Sequence, residues 1–439
     1  MRVLIPACLV LAALSLLIVP AAPGYDPWMW LLWGRELAGG SLDTAEGPAF
    51  KPLPVAICTL LAPLGDAAPA AWLIVARTGV LLAVAAAAVV AHRLAGRLAG
   101  VAAAVGVALT GSLLALGASG AVEGLFVAGA LGAVLCWRSE RFGLALACGL
   151  ACALVRVEAI PFLLPACVLV WRSRPELRPA VVTGLAALPV LWLLPDGLAT
   201  GELLRSADRA RVPNPGQPAL ADQPFFDSLA GALELAALPV VLGVAWLRPG
   251  RDRAALVIAA GAAAWIGLVA AMAELGFSGE QRYALPGVAV LTVAGAIGLG
   301  RVAVARSWAP AALVAVVLLG ILPSLRLLPD DADRIAHAVR LSADLDRAVA
   351  LAGGREAVLA CGSPVVGQYR GPLLAYQLAV AKRHVVFAPG ESGVAFASRL
   401  SSERRATPAL PGRYRVLARA GAWRVSAHCP NLRQQGRQR

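Results

Sequence analysis

Two charged side chains in the first polar segment of the chain could act together in a chemical reaction. Asp26 follows the first long apolar segment, and Lys51 begins a Lys-Pro-Leu-Pro sequence further along the same polar segment. A carboxylate can orient or deprotonate a hydroxyl group, and a cation can stabilise a departing phosphate. The pair therefore suits a reaction in which a hydroxyl group attacks a carbon atom that carries a phosphate.

The composition indicates which elements must position these groups. Of the 439 residues, 59% are apolar and only 15% are charged, which lies far outside the usage of soluble proteins. A bilayer core about 30 Å thick takes about 20 apolar residues as helix, and such segments recur from residue 3 to residue 327. We predict an α-helical polytopic membrane domain at residues 1–327, a small extracytoplasmic α/β domain at residues 328–430 and a disordered tail at residues 431–439.

Arginine clusters predict the topology, because short cytoplasmic loops concentrate basic residues. The clusters are Arg2; Arg93 with Arg97; Arg138 with Arg141; Arg172, Arg174 and Arg178; Arg248, Arg251 and Arg253; and Arg301 with Arg306. Two crossings between neighbouring clusters give about eleven spans, at residues 3–22, 70–91, 100–118, 121–136, 143–156, 158–171, 179–195, 231–247, 254–273, 284–300 and 308–327. The prediction is a multi-pass plasma-membrane protein with a cytoplasmic N-terminus and outer loops at residues 24–69 and 196–230.

The first apolar segment has a second interpretation, as a cleaved signal peptide. Arg2 precedes it, and Ala21-Ala22-Pro23 resembles a cleavage site. The length of the segment and its final proline favour a retained span.

Arg156 and Glu158 lie at the centre of the apolar stretch at residues 143–171. Two short spans keep the following arginines cytoplasmic, and each is then about 21 Å long, so the charged turn lies below the outer membrane surface. Charged groups at that depth face the bundle interior or water and are candidates for function. An internal ion pair between Arg156 and Glu158 that joins two helices is the alternative.

Further residues of the outer segments give the chain a resemblance to a known family. The matching residues are Asp26, Arg35-Glu36-Leu37, Gly40, Leu42, Thr44, Gly47-Pro48, Phe50 and Lys51-Pro52-Leu53-Pro54, with Glu123 and Arg282-Tyr283-Ala284-Leu285-Pro286 later in the chain. In their order and near-spacing they resemble membrane glycosyltransferases of the C superfamily. The look-alikes are the aminoarabinose transferases that modify lipid A, the protein O-mannosyltransferases and the RgtA/B/C/D-like proteins.

The resemblance implies transfer of a hexosyl or pentosyl group from a polyprenyl-phosphate carrier to an extracytoplasmic acceptor, with inversion at the sugar carbon. The acceptor would be a glycolipid, a polysaccharide or a protein. Asp26 would be the general base, and Glu123 would be a second catalytic acidic group. The candidates for substrate binding are Lys51, Arg35, Glu36, Arg156, Glu158, Arg205, Arg209, Arg282 and Tyr283. Guanidinium groups suit this role because they match phosphate oxygens in bidentate geometry.

Structural roles stay open for several of these groups. Asp26 could cap a helix, Glu123 could be a helix N-terminal charge, and Arg282 could anchor the chain at the membrane interface. Pro27 stands where the family commonly has glutamate, so a paired acid would have to come from Glu36, Asp43, Glu46 or Glu123. No cofactor is certain, and without a compact carboxylate cluster a divalent cation is left open.

The C-terminal part has a mixed pattern of helices and strands. We predict helices at residues 330–352 and 373–382, and strands at residues 357–361, 384–387, 394–397, 414–418 and 423–427. Cys361 and Cys429 would lie in an oxidising compartment, where they could form a disulfide or remain free thiols. Acceptor recognition is the hypothesis for this domain.

Other functional classes follow from the same composition. The net charge of +13 comes largely from arginines spread over loops and tail, so the predicted partners are the sugar donor, membrane lipids and the acceptor, and not nucleic acid. A multi-span transporter or lipid-handling protein would also bury charges, although no internal repeat is visible. A non-catalytic scaffold derived from the glycosyltransferase fold is the third hypothesis, and Pro27 favours it.

Overall fold

The computed structural model describes residues 4–305 and 309–430 and is mostly helical, with one small C-terminal sheet. Arg2, Arg306 and the predicted tail at residues 431–439 lie outside the described residues. The helices are α1 (Leu4–Ile18), α2 (Tyr25–Ala38), α3 (Pro52–Leu61), α4 (Ala68–Ala95), α5 (Arg97–Ala108), α6 (Leu113–Ala118), α7 (Glu123–Arg138), α8 (Phe142–Val155), α9 (Ile160–Ser173), α10 (Arg178–Thr200), α11 (Arg205–Ala210), α12 (Pro224–Leu235), α13 (Leu238–Val241), α14 (Arg253–Glu274), α15 (Gln281–Ala305), α16 (Ala309–Leu351), α17 (Gly354–Cys361) and α18 (Gly371–Gln377). The strands are β1 (Val365–Val366), β2 (Gly393–Ala397), β3 (Arg415–Ala420) and β4 (Trp423–His428).

Four helical segments of the described chain are long and apolar enough to cross a membrane. They are Pro52–Ala95, Pro175–Thr200, Arg253–Glu274 and Gln281–Ala303. Shorter apolar helices include α1, α5 and α8. Each predicted span coincides with at least one helix. The protein is therefore a helical polytopic membrane protein, while the number of eleven crossings stays a prediction.

Two of the predicted spans are broken where they meet each other. The segment at residues 100–118 divides into α5 and α6, and Gly111 in the break has a left-handed φ of 49° that favours glycine. The segment at residues 231–247 divides into α12 and α13, with extended backbone at Ala236. The Gly111 N–H donates to the carbonyl oxygen of Leu235 at 2.9 Å. This bond joins the two breaks.

Glycines allow several of these elements to pack at backbone contact. At Gly298 in α15, the carbonyl group of Gly243 occupies the place that a Cβ atom would need, and at Gly34 in α2 the backbone of Cys58 in α3 does the same. Small residues at helix contacts let backbones approach closely. The second contact fixes α2 against α3, and these two helices carry the candidate site.

The C-terminal part packs a four-stranded sheet against a long helix. Its strand order is β1-β2-β4-β3, with β1 and β2 parallel and the other pairs antiparallel. Helix α16 is continuous from residue 309 to residue 351, so it joins the last predicted span to the predicted helix at residues 330–352. The Trp423 indole N–H donates to the Leu341 carbonyl oxygen at 2.8 Å and attaches β4 to α16.

Two strand predictions for this part were wrong. Residues 357–361 belong to α17, where Val358 and Cys361 lie one turn apart and are both buried. A short apolar run does not distinguish a helix from a strand by periodicity alone, and this one was misassigned. Of residues 384–387, His384 ends a 3-10 turn, and Val386 forms only a single bridge, to Val365.

Cys361 and Cys429 form a disulfide, with Cα atoms 5.1 Å apart.

Candidate active site

Helix α2 places Asp26 in its first turn and is buried almost throughout. The aromatic run at residues 28–33 is enclosed by protein, since Trp30 and Trp33 are 1% and 0% exposed. Trp30 packs edge-on against Trp72 of α4, and Trp33 packs against Phe50. Through these contacts α2 packs against α4 and against Phe50, the residue before Lys51.

A cavity of about 1070 Å³ brings together residues from widely separated parts of the sequence. The predicted site residues that line it are Asp26, Lys51, Arg156, Glu158, Arg209, Arg282 and Tyr283. Asp26 Oδ2 lies 3.0 Å from Arg282 Nη2, and the Arg156 guanidinium lies over the Tyr283 ring at 4.3 Å from its centroid. The cavity therefore combines one buried carboxylate with several cations.

The Asp26 carboxylate is held in its charged form. Burial acts to raise its pKa, but Arg282, which also donates a hydrogen bond, and Lys51 outweigh burial and lower the pKa below its ordinary value. Arg282 also pairs with Glu280, with Nε and Oε2 3.1 Å apart. Asp26 is thus a carboxylate that can accept a hydrogen bond, but its basicity is weak while Arg282 is attached.

Lys51 has a lowered affinity for its proton. Burial and the nearby Arg156 lower its pKa to about 8, although Asp26 and Glu123 act in the opposite direction. Its ammonium lies 5.3 Å from the centroid of the Trp30 ring. An anion that entered the cavity would stabilise the charged form of Lys51.

Glu123 lies behind the cavity and pairs with a residue that faces it. Its Oε1 is 2.8 Å from Arg156 Nη2, and the two side chains are 1% and 3% exposed. Arg156 has extended backbone between α8 and α9, which confirms a break in the segment at residues 143–171. Glu158 is a more distant partner, at 3.9 Å from Arg156. The geometry suits Glu123 as the group that orients Arg156.

Helix α11 fastens the loop that carries Lys51. Arg205 donates to the carbonyl oxygens of Pro48 and Gly47 at 2.8 and 3.0 Å, so its guanidinium is directed into this loop. Ser206 Oγ accepts the Phe50 N–H at 2.8 Å, and the Ser206 N–H donates to the buried Asp196 at 3.0 Å. Arg209, one turn further along, lines the cavity.

Arg35 and Glu36 are not brought to the cavity, contrary to their predicted role in substrate binding. Arg35 Nη1 donates to the Tyr376 carbonyl oxygen at 2.9 Å, and Glu36 Oε2 accepts the Asp43 N–H at 3.0 Å. Burial raises the pKa of Glu36 to about 7. Arg35 attaches α2 to the C-terminal part, and Glu36 closes the loop after α2. Arg205 likewise does not line the cavity, because it holds the Lys51 loop.

Sequence reasoning missed several residues that form or support the site. Asp196 and Ser206 act through backbone bonds, which leave no motif, while Gln368 and Tyr369 reach the cavity from the C-terminal part. Tyr369 packs edge-on against Tyr25, with ring centroids 5.9 Å apart. No spacing signal connects positions so far apart in the chain.

The arrangement of the acidic side chains bears on whether the cavity could hold a metal ion. Across residues 4–305 and 309–430, no group of three or more His, Cys, Asp or Glu side chains lies close enough to hold a metal ion. None of the four carboxylates that the sequence offered as a paired acid lines the cavity with Asp26. Glu36 accepts a hydrogen bond from the Asp43 N–H in the loop after α2, and Glu123 is paired with Arg156. Glu46 Oε2 lies 3.7 Å from Lys382 Nζ.

A second cavity of about 720 Å³ lies next to the first and is lined mainly by apolar side chains of α7, α8, α9, α14 and α15. Trp265 lines this cavity, packs against Phe126 and Phe162, and donates its indole N–H to the Tyr283 carbonyl oxygen at 2.8 Å. Tyr283 in turn lines the first cavity. One polar cavity and one apolar cavity therefore meet at Trp265 and Tyr283.

Comparison with solved structures identifies the fold. The structure is similar to ArnT from Cupriavidus metallidurans bound to undecaprenyl phosphate, with a TM-score of 0.61, 14% sequence identity and 98% of each chain covered. It is also similar to ArnT from the same organism in the apo state, with a TM-score of 0.56, 14% identity, and 93% of this chain and 94% of that chain covered. No protein-family model and no curated protein sequence matches the chain. The resemblance to aminoarabinose transferases is thus confirmed at the level of the fold, which this chain shares with ArnT over nearly its whole length.

Proposed function

We propose that the protein is an integral membrane glycosyltransferase that moves a sugar from a polyprenyl-phosphate carrier to an acceptor hydroxyl group on the extracytoplasmic side. The observation that carries the proposal is one cavity in which the Asp26 carboxylate lies beside Arg282 and Lys51. The shared fold with ArnT, solved with undecaprenyl phosphate, supports a lipid carrier of this type. The N-terminus is proposed to be cytoplasmic and the part from residue 328 onwards extracytoplasmic.

The reaction requires few groups. The acceptor oxygen attacks the anomeric carbon from the face opposite the phosphate, the bond from that carbon to the phosphate oxygen breaks, and the electron pair leaves with the phosphate. Asp26 takes the acceptor proton, so the products are an inverted glycoside and the polyprenyl phosphate. Lys51 and Arg282 stabilise the charge that develops on the departing phosphate.

Arg282 gives Asp26 a basicity that depends on the donor. Without a phosphate nearby, Arg282 is bound to Asp26 at 3.0 Å and the carboxylate is a weak base. A donor phosphate between Arg282 and Lys51 would draw the guanidinium away, because the anionic phosphodiester competes with Asp26 for the same N–H donors. Asp26 would then regain basicity only when the donor is in place.

Of the remaining cationic residues, some are assigned to substrate binding and one to positioning a loop. We assign Arg156 and Arg209 to the phosphate or to sugar hydroxyl groups, since both line the cavity. Tyr283 supports Arg156 through its ring, and Glu158 lies at the same edge. Glu123 and Arg205 are positioning residues in this proposal, because each contacts the protein and not the cavity.

The apolar cavity suits the polyprenyl chain. Its lining is mainly aliphatic and aromatic, and one lining residue, Trp265, is hydrogen-bonded to Tyr283 of the polar cavity. A carrier whose phosphate lies at Lys51 could therefore bury its first isoprene units there.

Transfer in reconstituted membranes tests the function. Purified protein in lipid nanodiscs receives donors made of undecaprenyl phosphate joined to labelled pentoses or hexoses, together with an acceptor-containing extract of the native envelope. Wild type should move label into the extract, whereas Asp26→Asn and Lys51→Ala should lose at least about 100-fold of this activity.

Matched controls come from exposed groups of the same charge. Asp66→Asn in the same outer loop and Arg97→Ala at the start of α5 should transfer normally. Absence of transfer by wild type with every donor, or transfer by Asp26→Asn at the wild-type rate, would refute the proposal. Carriage of intact donor across the bilayer of sealed proteoliposomes, without transfer, would favour a transporter instead.

A further inference from the structure

Tyr369 has an unusual backbone for its residue type and a position at the mouth of the polar cavity. Its φ is 64°, in the left-handed region that bulky residues rarely adopt, and its side chain is 43% exposed. It lines the polar cavity together with Gln368. Strained backbone of this kind persists only where the surrounding structure enforces it, and it occurs often at binding sites.

The enforcing structure is a buried network around Arg370. Arg370 is 1% exposed and donates to the Ser398 carbonyl oxygen and to Glu403 Oε2, each at 3.1 Å. It also contacts the Thr407 hydroxyl. The guanidinium therefore holds the turn that precedes Arg370 through buried hydrogen bonds. Tyr369, in the same turn, lines the cavity. Nothing in this network uses the Tyr369 ring itself.

The ring forms an aromatic rim with residues of the first outer loop and the C-terminal part. Tyr25 packs edge-on against it at 5.9 Å between centroids, and Tyr25 directly precedes Asp26. Phe387, which is 37% exposed, lines the same cavity. The aromatic rim, defined as Tyr25, Tyr369 and Phe387, thus lines the same cavity as the Asp26 carboxylate.

We propose that the aromatic rim is an acceptor subsite that recognises a carbohydrate, with Tyr369 as its principal stacking residue. The C–H face of a sugar ring stacks on an aromatic face, while its hydroxyl groups remain free to bond to amides such as that of Gln368. A sugar stacked there would direct a hydroxyl group towards Asp26, next to Tyr25. The proposal rests on the transferase function and adds to it the chemical class of the acceptor.

Two substitutions separate the role of the ring from the backbone strain. Tyr369→Gly removes the ring and suits a positive φ, so the variant should unfold at the same or a higher temperature than wild type. Its transfer to the envelope extract should nevertheless fall by at least about tenfold, as expected when a positioned substrate contact is lost. Tyr369→Phe keeps the stacking face and should stay within about threefold of wild type.

Ala379→Gly is the matched control, because Ala379 also has a positive φ, of 49°, and does not line the polar cavity. It should likewise unfold at the same or a higher temperature than wild type, without any loss of transfer. Binding of undecaprenyl phosphate in nanodiscs, measured by quenching of tryptophan fluorescence, should be equal in all four proteins. A Tyr369→Gly variant that transfers normally, or one that loses donor binding in parallel with transfer, would overturn the proposal.

The bond formed in the product tests the acceptor class directly. The labelled product of wild type is purified and subjected to linkage analysis after methylation. The proposal expects the label to be joined to a hydroxyl group of another sugar. A bond to an amino-acid side chain or to a lipid group that is not a sugar would overturn it, although the transferase function would then stand. Lack of any labelled product from wild type is a failure of the transferase function itself.

Discussion

The ion pair between Glu123 and Arg156 provides the most quantitative prediction. Both side chains are almost fully buried, and Glu123 Oε2 has no hydrogen-bond partner within the described parts of the chain. Removing one member of such a pair leaves an uncompensated charge and costs about 3–5 kcal/mol. Arg156 keeps a distant contact with Glu158 at 3.9 Å and the ring of Tyr283. We therefore expect Glu123→Leu to lower the free energy of unfolding by about 3 kcal/mol, at the lower end of that range.

Companion variants separate stability from catalysis. Glu123→Leu combined with Arg156→Met removes both charges and should come within about 1–2 kcal/mol of wild type, because an apolar pair can replace a buried ion pair. This double variant should still lose transfer if Arg156 binds the phosphate. Glu123→Gln keeps an acceptor for Arg156 and should retain transfer within about tenfold, as expected of a positioning residue.

Denaturant titration in mixed micelles, followed by tryptophan fluorescence, measures the unfolding free energies, and nanodisc transfer measures the activities. A cost below about 1 kcal/mol for Glu123→Leu would refute the buried pair. A Glu123→Gln protein that is stable but inactive would show instead that the carboxylate takes part in the chemistry.

Four further predictions concern the site and its supports. Because the pKa of Lys51 is about 8, donor KM should rise as the pH increases through 8 and Lys51 loses its charge, and Lys51→Arg should remove this dependence since arginine stays charged. Folding raises the pKa of Glu36 from 4.5 to about 7, so wild type should lose stability as the pH rises from 4.5 to 7. Glu36→Gln should remove that loss, which is about 2–3 kcal/mol between pH 5 and pH 8 at 1.36 kcal/mol per pKa unit, as measured by unfolding titrations at the two pH values. Ser206→Ala removes the hydroxyl oxygen that accepts the Phe50 N–H. It should raise the KM for the donor several-fold and lower the free energy of unfolding by about 1–3 kcal/mol. Gly261→Phe should fill the apolar cavity and raise donor KM, whereas Gly267→Phe on the same helix, which also has open space but does not line that cavity, should not.

The sequence by itself was sufficient for the class of protein and for the position of most helices. Long apolar segments and the arginines between them are local features, and the bilayer thickness sets the length of each span. The break at Arg156 followed from the same charge pattern. Asp26 and Lys51 could be singled out because they lie in one short outer segment with a recognisable order of residues.

The tertiary structure alone decided which charged residues meet. Arg282 reaches Asp26 and Glu123 reaches Arg156, whereas Arg35, Glu36 and Arg205 turn to backbone partners outside the cavity. A guanidinium or a carboxylate has the same local signature in either role, and its partner is set by helix packing between segments that are distant in sequence. Tyr369 is the clearest case, because the buried network of Arg370 beside it holds an otherwise ordinary tyrosine at the cavity that Asp26 also lines.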